Sequence, residues 1–136
     1  MNKVVLDTNV LLVSISDKSN LHWVFKGLIN GDYSICVTTE ILAEYEEVIE
    51  RHMGYKVAEA VLAVLDNLSN ITYVTSYFRF NLLKDPDDNK FVDCAVSGNA
   101  DFIVSHDKDF NVLSKIDFPK VRVLKTDEFK KILNIV

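Results

Sequence analysis

The sequence predicts an α/β fold of three layers, with a mostly parallel central sheet between helices. Three observations lead there. Five short apolar or β-branched runs recur along the 136 residues, and helical patterns separate them. The first run, of Val and Leu, is composed to be buried on both faces, as strands are when helices cover both sides of a sheet. The length suits one domain, residues 1–136, large enough to bury a core without disulfide or metal staples.

The strands are expected at 3–6, 34–38, 71–75, 102–105 and 121–124. Helical patterns fall at 20–29, with His22, Trp23, Phe25 and Leu28, and at 39–51, with Ile41, Tyr45 and Val48. Further helices are expected at 56–68, 86–97 and 127–133. In sheets of this kind, functional residues gather beyond the carboxyl ends of the strands. Asp7 ends the first strand, and Ser105-His106-Asp107-Lys108-Asp109 follows the fourth.

Composition narrows the class. An apolar fraction of 49% with four Gly and two Pro describes an ordinary folded chain without repeats or disordered tracts. Met1-Asn2-Lys3 leads straight into strand-like residues, and the apolar run after it is too short for a signal-peptide core or a membrane span. The expectation is a cytoplasmic protein with no membrane partner. Cys36 and Cys94 sit among apolar neighbours and are expected to be buried, reduced thiols. A net charge of −5 argues against a generic nucleic-acid coat protein. It is compatible with a metal-dependent phosphodiesterase, in which bound cations carry the positive charge to the phosphate.

The candidate site residues are acids. Asp7-Thr8-Asn9 interrupts the first apolar run; all three are residues that cap helices, so a helix start is one reading. Asp85 before Pro86 is a helix start signal, which places Asp87 and Asp88 in the first turn, where the helix dipole favours negative charge. At about 100° per residue, Phe91, Val92 and Ala95 lie three, four and seven positions after Asp88, so Asp88 falls within the apolar stripe and Asp93 well off it. In the helix from Thr39, Glu44 and Glu46 border opposite edges of the apolar face, and periodicity does not choose between them. Acids converging at one sheet end repel one another unless a cation intervenes. Oxygen ligands select Mg²⁺ or Mn²⁺, and the scattered His22, His52 and His106 offer no zinc cluster.

Val-Leu-Asp-Thr-Asn at 5–9, Glu-Ile-Leu-Ala-Glu-Tyr at 40–45, Asp-Pro-Asp-Asp-Asn-Lys-Phe-Val-Asp-Cys-Ala at 85–95 and Ala-Asp-Phe-Ile-Val-Ser-His-Asp-Lys-Asp-Phe at 100–110 together resemble the PIN domain family. They are most similar to its branch of VapC-like toxins from bacterial toxin–antitoxin pairs. The resemblance implies metal-binding, catalytic acids at Asp7, Glu44, Asp88 and Asp107, with Asn9 and Ser105 supporting them. It thereby selects Glu44 over Glu46. Asp93 and Asp109 are candidates for supporting acids, and the crowded Asp-Pro-Asp-Asp leaves Asp87 without an assigned role. The implied activity is Mg²⁺- or Mn²⁺-dependent RNA hydrolysis that leaves 5′-phosphate and 3′-hydroxyl ends. The implied partners are an RNA substrate and a small antitoxin, and a homodimer is compatible. Lys84, Lys90, Lys108, Arg51 and Arg79 are read first as ordinary solvated charges.

Other classes fit less well. A haloacid-dehalogenase-type phosphatase needs a second Asp where Asn9 stands, and a receiver domain needs an Asp near Thr75-Ser76-Tyr77. The remaining alternative is a PIN-like interaction module without activity.

Overall fold

The structure is a computed structural model and describes residues 1–135. Its sheet contains β1 (Lys3–Leu6), β2 (Ser34–Val37), β3 (Ile71–Tyr73), β4 (Phe102–Val104) and β5 (Val123–Leu124). They are ordered β3-β2-β1-β4-β5, and every pairing is parallel. Val4 pairs with Ile35 on one side and Phe102 on the other, which puts β1 at the centre. Val4, Val5 and Leu6 are fully buried, as the apolar composition of the run requires. Successive strands run outward from β1 in one direction through β3, and the chain then crosses to β4 on the other side. The switch in direction falls between β1 and β4, where a crevice opens at the carboxyl ends.

Helices flank the sheet in a three-layer α/β/α arrangement. They are α1 (Thr8–Ser14), α2 (His22–Asn30), α3 (Thr39–Met53), α4 (Tyr55–Asp66), α5 (Asn89–Ser97) and α6 (Thr126–Ile132). α1 follows the helix-start reading of Asp7-Thr8-Asn9, although the sequence set no bounds for a helix there. The chain turns from strand to helix at Asp7, whose backbone is extended (φ −60°, ψ 144°), and Val10, Leu11 and Ser14 then form the buried face. The expected helix from 86 begins instead as a 3-10 turn, Pro86–Asp88, and becomes α-helical only from Asn89. A further 3-10 segment, Lys108–Lys115, was not anticipated.

Two packing features position the candidate site. Phe129 of α6 meets Tyr33, Phe102 and Trp23 at ring-centroid distances of 4.9, 5.5 and 5.6 Å, which ties the last helix to β2 and β4. Tyr45 of α3 is fully buried and donates its hydroxyl to the Leu6 carbonyl at 2.6 Å, one residue before Asp7. Cys36 and Cys94 are buried free thiols. Among the described residues, no helix is long and apolar enough to cross a membrane.

The Tyr45 bond makes a stability prediction. Tyr45→Phe keeps the ring but leaves the Leu6 carbonyl without this buried donor, at a cost of about 1–3 kcal/mol. Urea unfolding should show a lowered midpoint with an unchanged slope.

Candidate functional site

Asp7 is 7% exposed at the junction of β1 and α1. Its N–H still reaches across to the Val104 carbonyl at 3.0 Å, extending the β1–β4 pairing by one residue. Its carboxylate makes no helix-cap bond. Instead Oδ2 accepts the Ser105 hydroxyl at 2.7 Å, and the same Ser105 Oγ accepts the Asp107 N–H at 3.0 Å. Burial pushes the Asp7 carboxyl above its ordinary range, the Ser105 bond offsets part of that, and the charge of Asp107 adds to it.

The carboxylates of Asp88, Asp107 and Asp109 each present an oxygen within 4.8 Å of the others. Local capping builds both arms of this cluster. Asp85 Oδ1 accepts the Asp87 N–H at 3.0 Å with Pro86 next to it, which sets the turn that carries Asp88. Asp107 Oδ1 accepts the Asp109 N–H at 2.9 Å and starts the Lys108–Lys115 segment. Partial burial, followed by the charges of Asp85, Asp107, Asp7 and Asp109, pushes the Asp88 carboxyl up to about 6. Asp109, read from sequence only as a supporting candidate, lies within the tightest group of acids.

Glu44 is half-buried on α3, accepts the Thr8 hydroxyl, and its charge acts on Asp7. Its Oε1 pairs with Lys90 Nζ at 2.8 Å. Lys90 is therefore not the solvated charge expected from sequence: its side chain is 16% exposed and balances Glu44. Glu46 is exposed. Asn9 is also exposed and lines a cleft of about 350 Å³ together with Asp7, His106 and Asp107. A larger cleft of about 570 Å³ begins at Ser105 and Asp107 and continues past Lys108, Arg122 and Lys125.

Asp93 corrects the sequence reading. It is 5% exposed rather than off the buried face, because the segment after β3 closes over α5. Its Oδ1 accepts the Phe80 N–H at 3.1 Å, so its bond is to that segment and not to the other acids. Burial raises its carboxyl, and the Phe80 bond draws it back.

A buried hydroxyl linking two acidic loops, with three carboxylates beside it at the switch point of a parallel sheet, defines an acidic centre. Residues 3–109 match the PIN domain family model, and the chain belongs to that family. Among solved structures it is similar to VapBC2 from Rickettsia felis, bound to a DNA fragment from its promoter, at a TM-score of 0.63 and 15% identity over 90% of this chain and 98% of that one. It is also similar to Mycobacterium tuberculosis VapC20, described as a sarcin-ricin loop cleaving toxin, at 0.58 and 17% over 88% and 98%. DNA-bound VapBC from Salmonella typhimurium gives 0.58 and 18% over 92% and 98%. These likenesses concern the fold. No curated protein matches the chain in sequence.

The raised Asp88 carboxyl has a sign that can be tested. Its folded pKa of about 6 lies above the ordinary 3.8, so ionisation works against the fold. The penalty is absent below pH 3.8, grows between 3.8 and about 6, and is complete above that. Asp88→Asn should raise the melting temperature of chelator-treated protein at about pH 7.5 more than at about pH 4.5. An equal gain at both values would rule out charge as the cause.

Proposed function

We propose that the protein is a metal-dependent endoribonuclease and the toxin of a toxin–antitoxin pair. The observation that carries this reading is the convergence of the Asp88, Asp107 and Asp109 carboxylates within 4.8 Å, beside Asp7. The donor set fits a hard divalent ion: it consists of carboxylate oxygens, and burial first, then the neighbouring carboxylates, raise the Asp88 carboxyl, both of which a bound cation would offset. Asp88, Asp107 and Asp109, with Asp7 beside them, would hold Mg²⁺ or Mn²⁺, and Glu44 would stand next to Asp7. The ion would promote ionisation of the attacking water and offset charge developing on the phosphate and the leaving oxygen.

The chain's own groups have distinct tasks in this reading. Ser105 fixes the Asp7 carboxylate and the Asp107 backbone with one hydroxyl, so both acids are oriented before substrate arrives. Lys90 holds Glu44 in place and limits the negative charge that an RNA phosphate must approach. Asn9, exposed on the rim of the Asp7 cleft, is available to the substrate. The likeness to VapC20, a sarcin-ricin loop cleaving toxin, supports the reading of RNA as substrate. The VapBC likenesses support a small antitoxin as partner. A guanidinium from such a partner would pair with the same acids and exclude the metal.

Two measurements test this function. Asp7→Asn and Asp88→Asn should each lower RNA cleavage by at least about 100-fold while the circular dichroism spectrum is retained. Wild-type rates in purified Asp88→Asn would refute the assignment. Separately, Mn²⁺ at about 100 times its dissociation constant should stabilise the wild type by about 2.7 kcal/mol, and Asp7→Asn should lose most of that. Equal melting shifts in both proteins would place the ion elsewhere.

A further inference from the structure

A second cleft, of about 160 Å³, opens at the carboxyl ends of β2 and β3. Thr38, Thr39, Thr75 and Ser76 line it with hydroxyls, and Arg79 and Asp93 complete its wall. Lys90, whose Nζ reaches Glu44, also lines it, so the cleft and the acidic centre share one side chain. Directly after Ser76 come Tyr77, 84% exposed, and Phe78, 71% exposed. Two adjacent aromatic rings in water, on a well-anchored segment, call for an occupant.

The segment is held by its backbone. Phe80 N–H donates to Asp93 at 3.1 Å, and Leu83 N–H donates to Asn89 Oδ1 at 2.9 Å. Asn89 in turn donates to the Leu83 carbonyl at 3.3 Å. Both anchors are buried polar residues of α5. The polypeptide is pinned at 80 and 83 while the rings at 77 and 78 stay in solvent.

The chemistry of the cleft selects its occupant. Its two cations are already paired: Arg79 lies 3.3 Å from Glu40, and Lys90 lies 2.8 Å from Glu44. With Asp93 and Glu40 also in the lining, the cleft offers no net positive charge to a phosphate. It offers hydroxyls that donate and accept, a carboxylate that accepts, and flat apolar surface at the rim. It is smaller than the pockets that take drug-sized ligands, and it suits a single ring system. We propose that this cleft and the Tyr77-Phe78 rim form a subsite for one unpaired RNA base, stacked on the rings and read at its edge by the hydroxyls, next to the phosphate held at the acids. The inference rests on RNA being the ligand of the acidic centre. Asp93 is then a positioning residue, holding through Phe80 the segment on which the base stacks.

The test is binding of labelled single-stranded oligoribonucleotides to the intact protein, by fluorescence anisotropy, with Ca²⁺ replacing Mg²⁺ and Mn²⁺ so that a cation meets the phosphate at the acids. Tyr77→Ala/Phe78→Ala should weaken binding by at least about fivefold, the effect of losing one stacked base. Thr75→Ala/Ser76→Ala should change the order of preference among adenine, uracil, cytosine and guanine homopolymers. Asp93→Ala should weaken binding, whereas Asp93→Asn, whose amide oxygen still accepts the Phe80 N–H, should restore it. Unchanged affinity in the Tyr77/Phe78 variant, or no RNA binding by the wild type, would overturn the proposal and leave the exposed rings to a protein partner. Ring-dependent binding by a protein that cleaves no RNA when Mn²⁺ is supplied would support the subsite while refuting the nuclease reading.

Discussion

The Ser105 hydroxyl joins the two halves of the molecule at the point where the acids meet. It donates to Asp7 at the end of β1 and accepts from the backbone of Asp107 beyond β4. A hydroxyl can do both at once, which an apolar or a charged side chain could not. Because β1 and β4 are neighbours at the direction switch of the sheet, this one group sets the spacing of two acidic loops. The Asp7–Val104 backbone bond and the Tyr45–Leu6 bond act on the same corner from the sheet and from α3. A rigid corner matters here, since neighbouring acids have to be held together against their own repulsion.

That repulsion is distributed unevenly. Asp7 loses water and gains a hydroxyl; Asp88 keeps some water but faces four other carboxylates. Glu44 is relieved by Lys90 and Thr8. The strain is therefore concentrated at Asp88, on a 3-10 turn that Asp85 and Pro86 set in place. Stability is given up at the position where binding of a cation would recover it, as is usual for sites assembled from like charges.

The sequence made the sheet, its parallel pairing and the helix start at Asp85-Pro86 legible, because these depend on residue types within a few positions of one another. α1 was only partly legible: Asp7-Thr8-Asn9 offered a helix start, but the unbroken apolar run Val10, Leu11, Leu12 and Val13 shows no polar face that would delimit the helix. Asp93 and Lys90 were misread for a different reason. Their burial comes from the 74–83 segment and from α3, contacts made by chain distant in sequence, and α5 is in consequence buried at five successive positions from Phe91 to Ala95. A periodicity argument presumes one wet face, and this helix has little of one.

The bond between Asp7 and Ser105 spans 98 positions of sequence. During synthesis, a chain that has emerged only as far as β3 can pair β1 with β2 and β2 with β3, yet it has neither β4 nor the loop beyond it. One edge of β1 stays open and Asp7 has no hydroxyl to receive until more than three quarters of the polypeptide exists. Long-range parallel pairing is also slow to form. The topology thus acts as a timer: the acidic centre is among the last features to be assembled on the ribosome, and nascent or truncated chains carry the first acid without the apparatus that orients it.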